Sequence, residues 1–262
     1  MKSLRIAATG MQAQELNVEV ISNNIANMRT TGFKQVRAEF QDLLYQDIRR
    51  VGANSSANGN IIPTGVQVGY GVKTGATARV MSQGNLQQTG KELDLAIRGE
   101  GFFSVELPSG QTAYTRDGSF ELDADGNLVT LDGFRVQPNI TVPNDARSIT
   151  INREGTVQVL TGNSTTPQEL GQVQLSRFVN KAGLQSIGDN LYLESPASGN
   201  AIDGVAAEEG FGSISQQFLE NSNVNAVSEL SDLIAAQRAY EMNAKVISAS
   251  DEMMSTTSNI VR

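Results

Sequence analysis

Apolar residues recur every seventh position at the two ends of the chain and alternate with polar ones through its middle. At the start, Leu4, Met11, Val18 and Ile25 form the series, with Ala7, Ile21 and Met28 three places after its members. Such spacing draws an apolar seam along an amphipathic helix, interrupted by Gln14 and Glu15 and stopping near Asn27. At the other end Leu233, Tyr240, Ile247, Met254 and Val261 repeat the pattern, with Leu230 and Ala244 on the same stripe. Asn223 or Asn225 is the candidate cap, Glu229 falls in the first turns, and neither Gly nor Pro interrupts residues 224–262. Heptads at both ends and nowhere between predict two helices that pack on each other, or on copies of themselves, as a coiled-coil-like layer. The alternative is a pair of surface helices on a globular core. Assembly contact and core contact use the same apolar chemistry, so both readings stay open for every seam residue.

Residues 31–221 read as strand. Runs such as Phe102-Phe103-Ser104-Val105-Glu106-Leu107 and Ser119-Phe120-Glu121-Leu122 are punctuated by turn chemistry at Pro108-Ser109-Gly110, Asp117-Gly118, Asp125-Gly126 and Asp132-Gly133. Thr150-Ile151-Asn152, Thr156 to Val159 and Val173 to Leu175 continue the alternation, which predicts a mostly antiparallel β domain. Stretches 52–60 and 195–212, rich in small and polar residues, read as linkers or loops. The expected organisation is an N-terminal helix over 1–30, an extended or hairpin region over 31–75, a central β domain over 76–210, a return linker over 211–223 and a C-terminal helix over 224–262. The fold class is therefore mixed: terminal α-helices in a coiled-coil-like layer, with a central antiparallel β domain.

Composition narrows what such a chain can do. With 262 residues, 39% hydrophobic, it can bury a core, but 5% aromatics and no Trp make that core thin, and neighbouring copies are an expected source of stability. A formal charge of -8, without a Lys/Arg cluster, argues against nucleic acid, whose binding draws on counterion release. The acids gather toward the C-terminus, at Glu208, Glu209, Glu220, Glu229, Asp232, Glu241, Asp251 and Glu252, while residues 1–50 are slightly basic. Solvated helix faces or complementary pairing of the two ends both account for this. Polar residues from Thr9 to Glu15 break any signal-peptide core after Lys2 and Arg5, and no stretch reaches membrane-spanning length, so no membrane insertion is expected.

The common catalytic constellations are missing. Without Cys or His there is no disulfide, no thiolate site and no Ser-His-Asp or Cys-His centre, and zinc would need oxygen ligands alone. Gly69 to Gly75 lacks phosphate-loop spacing, because Lys73 follows Val72 rather than Gly. Asp123-Ala124-Asp125-Gly126-Asn127 resembles the start of a calcium loop, but its Gly comes at the fourth place and Phe134 stands at the twelfth, so a hairpin turn is the better reading. No catalytic residue, metal ligand or cofactor is assigned.

The segment Ile21-Ser22-Asn23-Asn24-Ile25-Ala26-Asn27, followed by Thr30, Thr31, Gly32, Phe33 and Lys34, resembles the signature of flagellar axial proteins, the rod, hook and hook-associated subunits. In that pattern Asn23, Asn24 and Asn27 end the helix by competing for backbone hydrogen bonds, Ala26 lies between them, and Gly32 permits the turn before Phe33 anchors the next segment. Similar segments follow at 42–46, 63–72, 82–86, 99–103, 114–120, 188–192, 222–225 and 237–241. Length and the stretch Gln46 to Gly71 match the distal rod type best; another rod or hook-type member is the alternative, and a secreted β-rich binding module a distant one. The resemblance implies a helical homopolymer with the terminal helices inside, a rigid hollow shaft crossing the periplasm and carrying torque from motor to hook. It further implies proximal rod proteins, hook protein and the surrounding P- and L-ring proteins as partners, export by the flagellar apparatus without a cleaved signal peptide, and no enzymatic activity. The seam residues Leu4, Met11, Val18, Ile25, Leu233, Tyr240, Ile247 and Met254 are the candidates for assembly.

Overall fold

A computed structural model describes residues 2–49, 64–162 and 166–260. The expected linker at 52–60 lies outside them. The chain divides into two compact units: residues 1–25, 36–78 and 226–262 form one, residues 26–35 and 79–225 the other.

In the first unit, α1 (Lys2–Ala26) and α2 (Ala226–Ile260) pack antiparallel. Three contacts fix the register. Ser3 Oγ lies 3.4 Å from Ser250 Oγ, a Cβ on Gly10 would stand 2.9 Å from the Asn243 amide nitrogen, and Asn24 Nδ2 donates to Glu229 Oε2 at 3.2 Å. Each step along α1 is matched by an equal and opposite step along α2. Apart from Ile21, the buried positions are small or polar: Ala7, Ala13 and Asn24 on one helix, Glu229, Ala236 and Ser250 on the other. Glycine inside a helix costs about 1 kcal/mol against alanine. At Gly10 it is the residue that admits Asn243. Two short antiparallel pairings complete this unit, Val36–Asp42 with Val72–Arg79 and Tyr45–Arg49 with Val66–Gly69.

The second unit is built on a nine-stranded antiparallel sheet with Phe102–Glu106 at its centre. This strand pairs with Thr112–Thr115 on one side, and with Arg135–Gln137 and Gln174–Arg177 on the other. Alternation divides its side chains between two cores. Phe103 and Val105 join Leu95, Ile97, Ala113, Val136 and Leu175 in the larger one, to which the separate three-stranded sheet at 146–172 adds Ile151 and Val157. Phe102 turns the other way to Tyr114, Phe178, Leu184 and Tyr192, and the Phe178 ring stands edge to face with both Phe102 and Tyr114. The Asp123 segment is a hairpin turn between Phe120–Leu122 and Leu128–Thr130. Asp123 accepts hydrogen bonds from Asp125 N, Asn127 N and Asn127 Nδ2. Those bonds, Asn127's foremost, hold its carboxyl below the ordinary carboxylate range.

Gly118 marks the tightest backbone approach in this unit. It accepts a hydrogen bond from Leu95 N, and a Cβ added there would lie 1.6 Å from Leu95 O. Gly118→Ala therefore has to push two paired backbones apart, and a loss of about 2–3 kcal/mol is expected in urea unfolding of the full chain. An unchanged urea midpoint would contradict this packing.

Candidate assembly surfaces and the signature loop

The apolar seam on α2 has a second, unmatched counterpart. At 100° per residue, Glu229, Ala236 and Ser250 mark the face turned to α1. The outward side carries Val227, Leu230, Ile234 and Met242, each between 50% and 74% exposed, while Val246 and Met253, four and three residues from Ser250, flank the contact itself. An exposed apolar row on the side away from α1 is made to be covered by something other than α1. Of the predicted seam, Leu4, Met11, Val18, Ile25, Leu233 and Ile247 are half-buried beside the helix contact, while Tyr240 and Met254 are exposed; Val261 lies outside the described residues. The central line of the interface is instead the smaller, more polar set. The hairpin adds another open apolar surface in Leu44, Tyr45, Ile48 and Val66. Two-stranded hairpins are marginal in water unless packed against something else.

The asparagine signature divides between two tasks. Asn23 is exposed, whereas Asn24, in the last turn of α1, is 1% exposed. Its carboxamide imitates a peptide group: Oδ1 accepts from Val36 N at 2.9 Å, and Nδ2 donates to Val36 O at 2.8 Å and to Glu229. The strand after the signature is thereby tied to the helix before it. Ala26 closes α1, and the turn beyond is held by Asn27, whose carbonyl accepts from Thr30 N and whose Oδ1 accepts from Thr30 Oγ1.

Thr31 to Gln35 is bound into the β unit. Thr31 O accepts from Asn190 Nδ2, Gly32 N donates to Glu220 O at 2.7 Å, and Gln35 N donates to Asn223 Oδ1. Gly32 has φ +68, and a Cβ there would meet Asp117 N at 2.7 Å, so both conformation and space demand glycine. Phe33 is half-buried. Lys34 is 1% exposed, its ammonium donating to Glu220 Oε1 at 2.5 Å and to Ser82 O at 2.8 Å. Arg116 approaches the other Glu220 oxygen at 3.6 Å through Nε and donates from Nη2 to Gly99 O. Gly84 N also donates to Glu220 Oε1. Burial pulls the Lys34 and Arg116 pKa values down, and Glu220 opposes it for both. One buried carboxylate thus holds two cations and the backbone at Gly84 together. Glu220 carried no sequence signal of this, because its partners stand 186 and 104 positions away. Arg116, Asn190 and Asn223 fall in segments that resembled the family, yet nothing in their spacing disclosed a common centre.

Three family models match the chain: "Flagella basal body rod protein" over residues 4–34, "Flagellar hook protein FlgE/F/G D1 domain" over 96–159, and "Flagellar basal body rod FlgEFG protein C-terminal" over 215–260. Paired terminal helices and a β middle, matched in this order, define an axial protein of the flagellar rod and hook class. The flagellar basal-body rod protein FlgG of Caulobacter vibrioides is 57% identical over 99% of this chain and 99% of its own. Those of Agrobacterium fabrum, 52% identical over 98% of each chain, and Bacillus subtilis, 39% identical over all of each, agree along the same length. The chain belongs to the FlgG family of flagellar basal-body rod proteins.

Proposed function

We propose that the chain is a structural subunit of the distal flagellar rod, polymerising with copies of itself into a rigid hollow helical tube that transmits torque from motor to hook. Its work is mechanical rather than catalytic. The observation that carries the self-assembly is the second apolar face of α2, since burying exposed Leu, Ile, Val and Met side chains is what drives association. The exposed hairpin residues offer further area to a neighbouring copy. Proximal rod proteins, the hook protein and the enclosing P- and L-ring proteins are the partners this role requires. Residues 2–26 support delivery by the flagellar export apparatus with the N-terminal segment retained, because that segment is a structural helix with its inner face on α2.

The test is electron microscopy and sedimentation of the purified full chain beside Leu230→Lys/Ile234→Lys. Both substituted positions are about half exposed, so the fold should change by little. Filaments or tubes from the parent chain, and a folded monomer of unchanged circular dichroism from the variant, are expected. A variant that polymerises as readily as the parent would remove α2's outer face from the assembly.

A further inference from the structure

The nine-stranded sheet presents two unlike surfaces at opposite ends of its central strand, Phe102–Glu106. At one end Phe102 pairs with Ser176, and Arg177 follows as the last residue of that partner strand. At the other end Glu106 pairs with Arg135, whose strand is entered through the turn Thr130 to Phe134. Strand residues advance about 3.4 Å each, so Arg177 and this turn stand roughly 14 Å or more apart along the strand and cannot meet within one chain.

Arg177 is a positioned cation without an acid. Its guanidinium lies over the Phe211 ring at 5.4 Å, and a Cβ on Gly210 would stand 2.5 Å from Nη1, so an aromatic ring and a bare glycine hold the group in place. Nε is buried without a hydrogen-bond partner, and the side chain forms no ion pair among the described residues. Glu208 and Glu209 lie in the adjoining turn, yet neither pairs with it. Ile202 stands opposite Arg177 in the ladder and is 42% exposed, and Val179, two residues further along the chain, is 85% exposed. A fixed arginine beside open apolar side chains has the composition of a protein–protein hot spot.

The turn at the other end is its complement. Gly133 N donates to Thr130 O at 2.9 Å and Phe134 N to Thr130 Oγ1 at 3.2 Å, which fixes the loop from within and leaves Leu131 and Asp132 at its apex. Leu131 is 70% exposed in a place where turn chemistry favours polar residues. Asp132 is exposed and has no ion pair among the described residues, and Arg135, the nearest cation in sequence, does not engage it. We propose that the Leu131-Asp132 turn of one copy docks on the Arg177 surface of the next. Leu131 then covers Val179 and Ile202, while the Asp132 carboxylate accepts from the free guanidinium N–H groups, a pairing that fixes direction as well as position. Knob and socket are different surfaces at opposite ends of one sheet, so the contact is heterologous and runs head to tail instead of closing a two-fold dimer. It rests on the reading of the chain as a self-assembling subunit, and adds a second contact, in the β unit, to the one made by α2.

The chain has no cysteine, so a pair introduced at exposed positions reports this contact without background. The full chain carrying Leu131→Cys/Val179→Cys is oxidised at high concentration beside each single variant. A ladder of disulfide-linked multimers is expected from the double variant, and no more than traces of dimer from either single one, because like positions do not meet. Adding Asp132→Asn, which removes only the charge from an exposed turn, should slow the ladder about ten-fold, the scale of a charge-assisted hydrogen bond. Arg177→Gln should do the same in a chain of unchanged circular dichroism. A double variant that links no better than the single ones, or a ladder that either substitution leaves unslowed, would overturn the contact. Filaments without a ladder would overturn it while leaving the helix-mediated polymerisation intact. A ladder in the Leu230→Lys/Ile234→Lys background, where no filaments form, would support it independently of α2.

Discussion

Glu220→Ala is expected to destabilise the β unit by about 3–5 kcal/mol, the cost of breaking a buried ion pair by removing one partner. It strands Lys34 and Arg116, two cations 1% and 5% exposed, beside each other, and takes the acceptor from Gly84 N as well. Lys34→Met is the informative companion. It fills most of the lost volume and leaves Glu220 with Arg116, so only one charge is deleted and one remains paired. Urea unfolding followed by tyrosine fluorescence should rank Glu220→Ala well below Lys34→Met. The reverse order, or equal losses, would mean that Glu220 is not the common partner of both cations.

Asn24→Asp should cost the helix unit about 2–4 kcal/mol at neutral pH, more than Asn24→Ala. Alanine strips partners from Val36 N, Val36 O and Glu229. Aspartate restores an acceptor for Val36 N but cannot donate to Val36 O, and it sets a second carboxylate against Glu229, which is 2% exposed. Like charge and burial both raise the folded-state pKa of the introduced carboxyl above the unfolded value near 4. A raised folded pKa means that stability falls as pH climbs through the interval between the two values, so the aspartate variant should recover on acidification toward pH 4.5. Helical circular dichroism against urea at pH 4.5 and 7.5 measures it. An aspartate variant no weaker than alanine at pH 7.5 would refute the clamp.

Periodicity was legible wherever one face of an element is apolar and local. The terminal helices and the antiparallel middle follow from period seven and period two, since burying one face imposes these spacings on the chain itself. The Asp123 turn was legible for the same reason, because an aspartate that satisfies backbone donors two and four residues on needs nothing distant. The centre of the helix contact was not. Glu229, Ala236, Asn243 and Ser250 also repeat every seventh residue, but as a polar and small series they are invisible to a hydrophobicity count. Likewise the signature points to Lys34, and only three dimensions bring Glu220 and Arg116 to it.

The antiparallel pairing of α1 with α2 also sets an order of events during synthesis. Ser3 meets Ser250, and Asn24 meets Glu229, across separations of 247 and 205 residues. Closing so long a loop is entropically costly and slow compared with local hairpins. The β hairpins of 79–225 can form as they emerge from the ribosome, whereas residue 3 waits for residue 250. Until residues 226–260 are made, α1 has no α2 to pack against. A chain halted before residue 226 keeps its first helix solitary, so the joined pair forms only after both helices have been made.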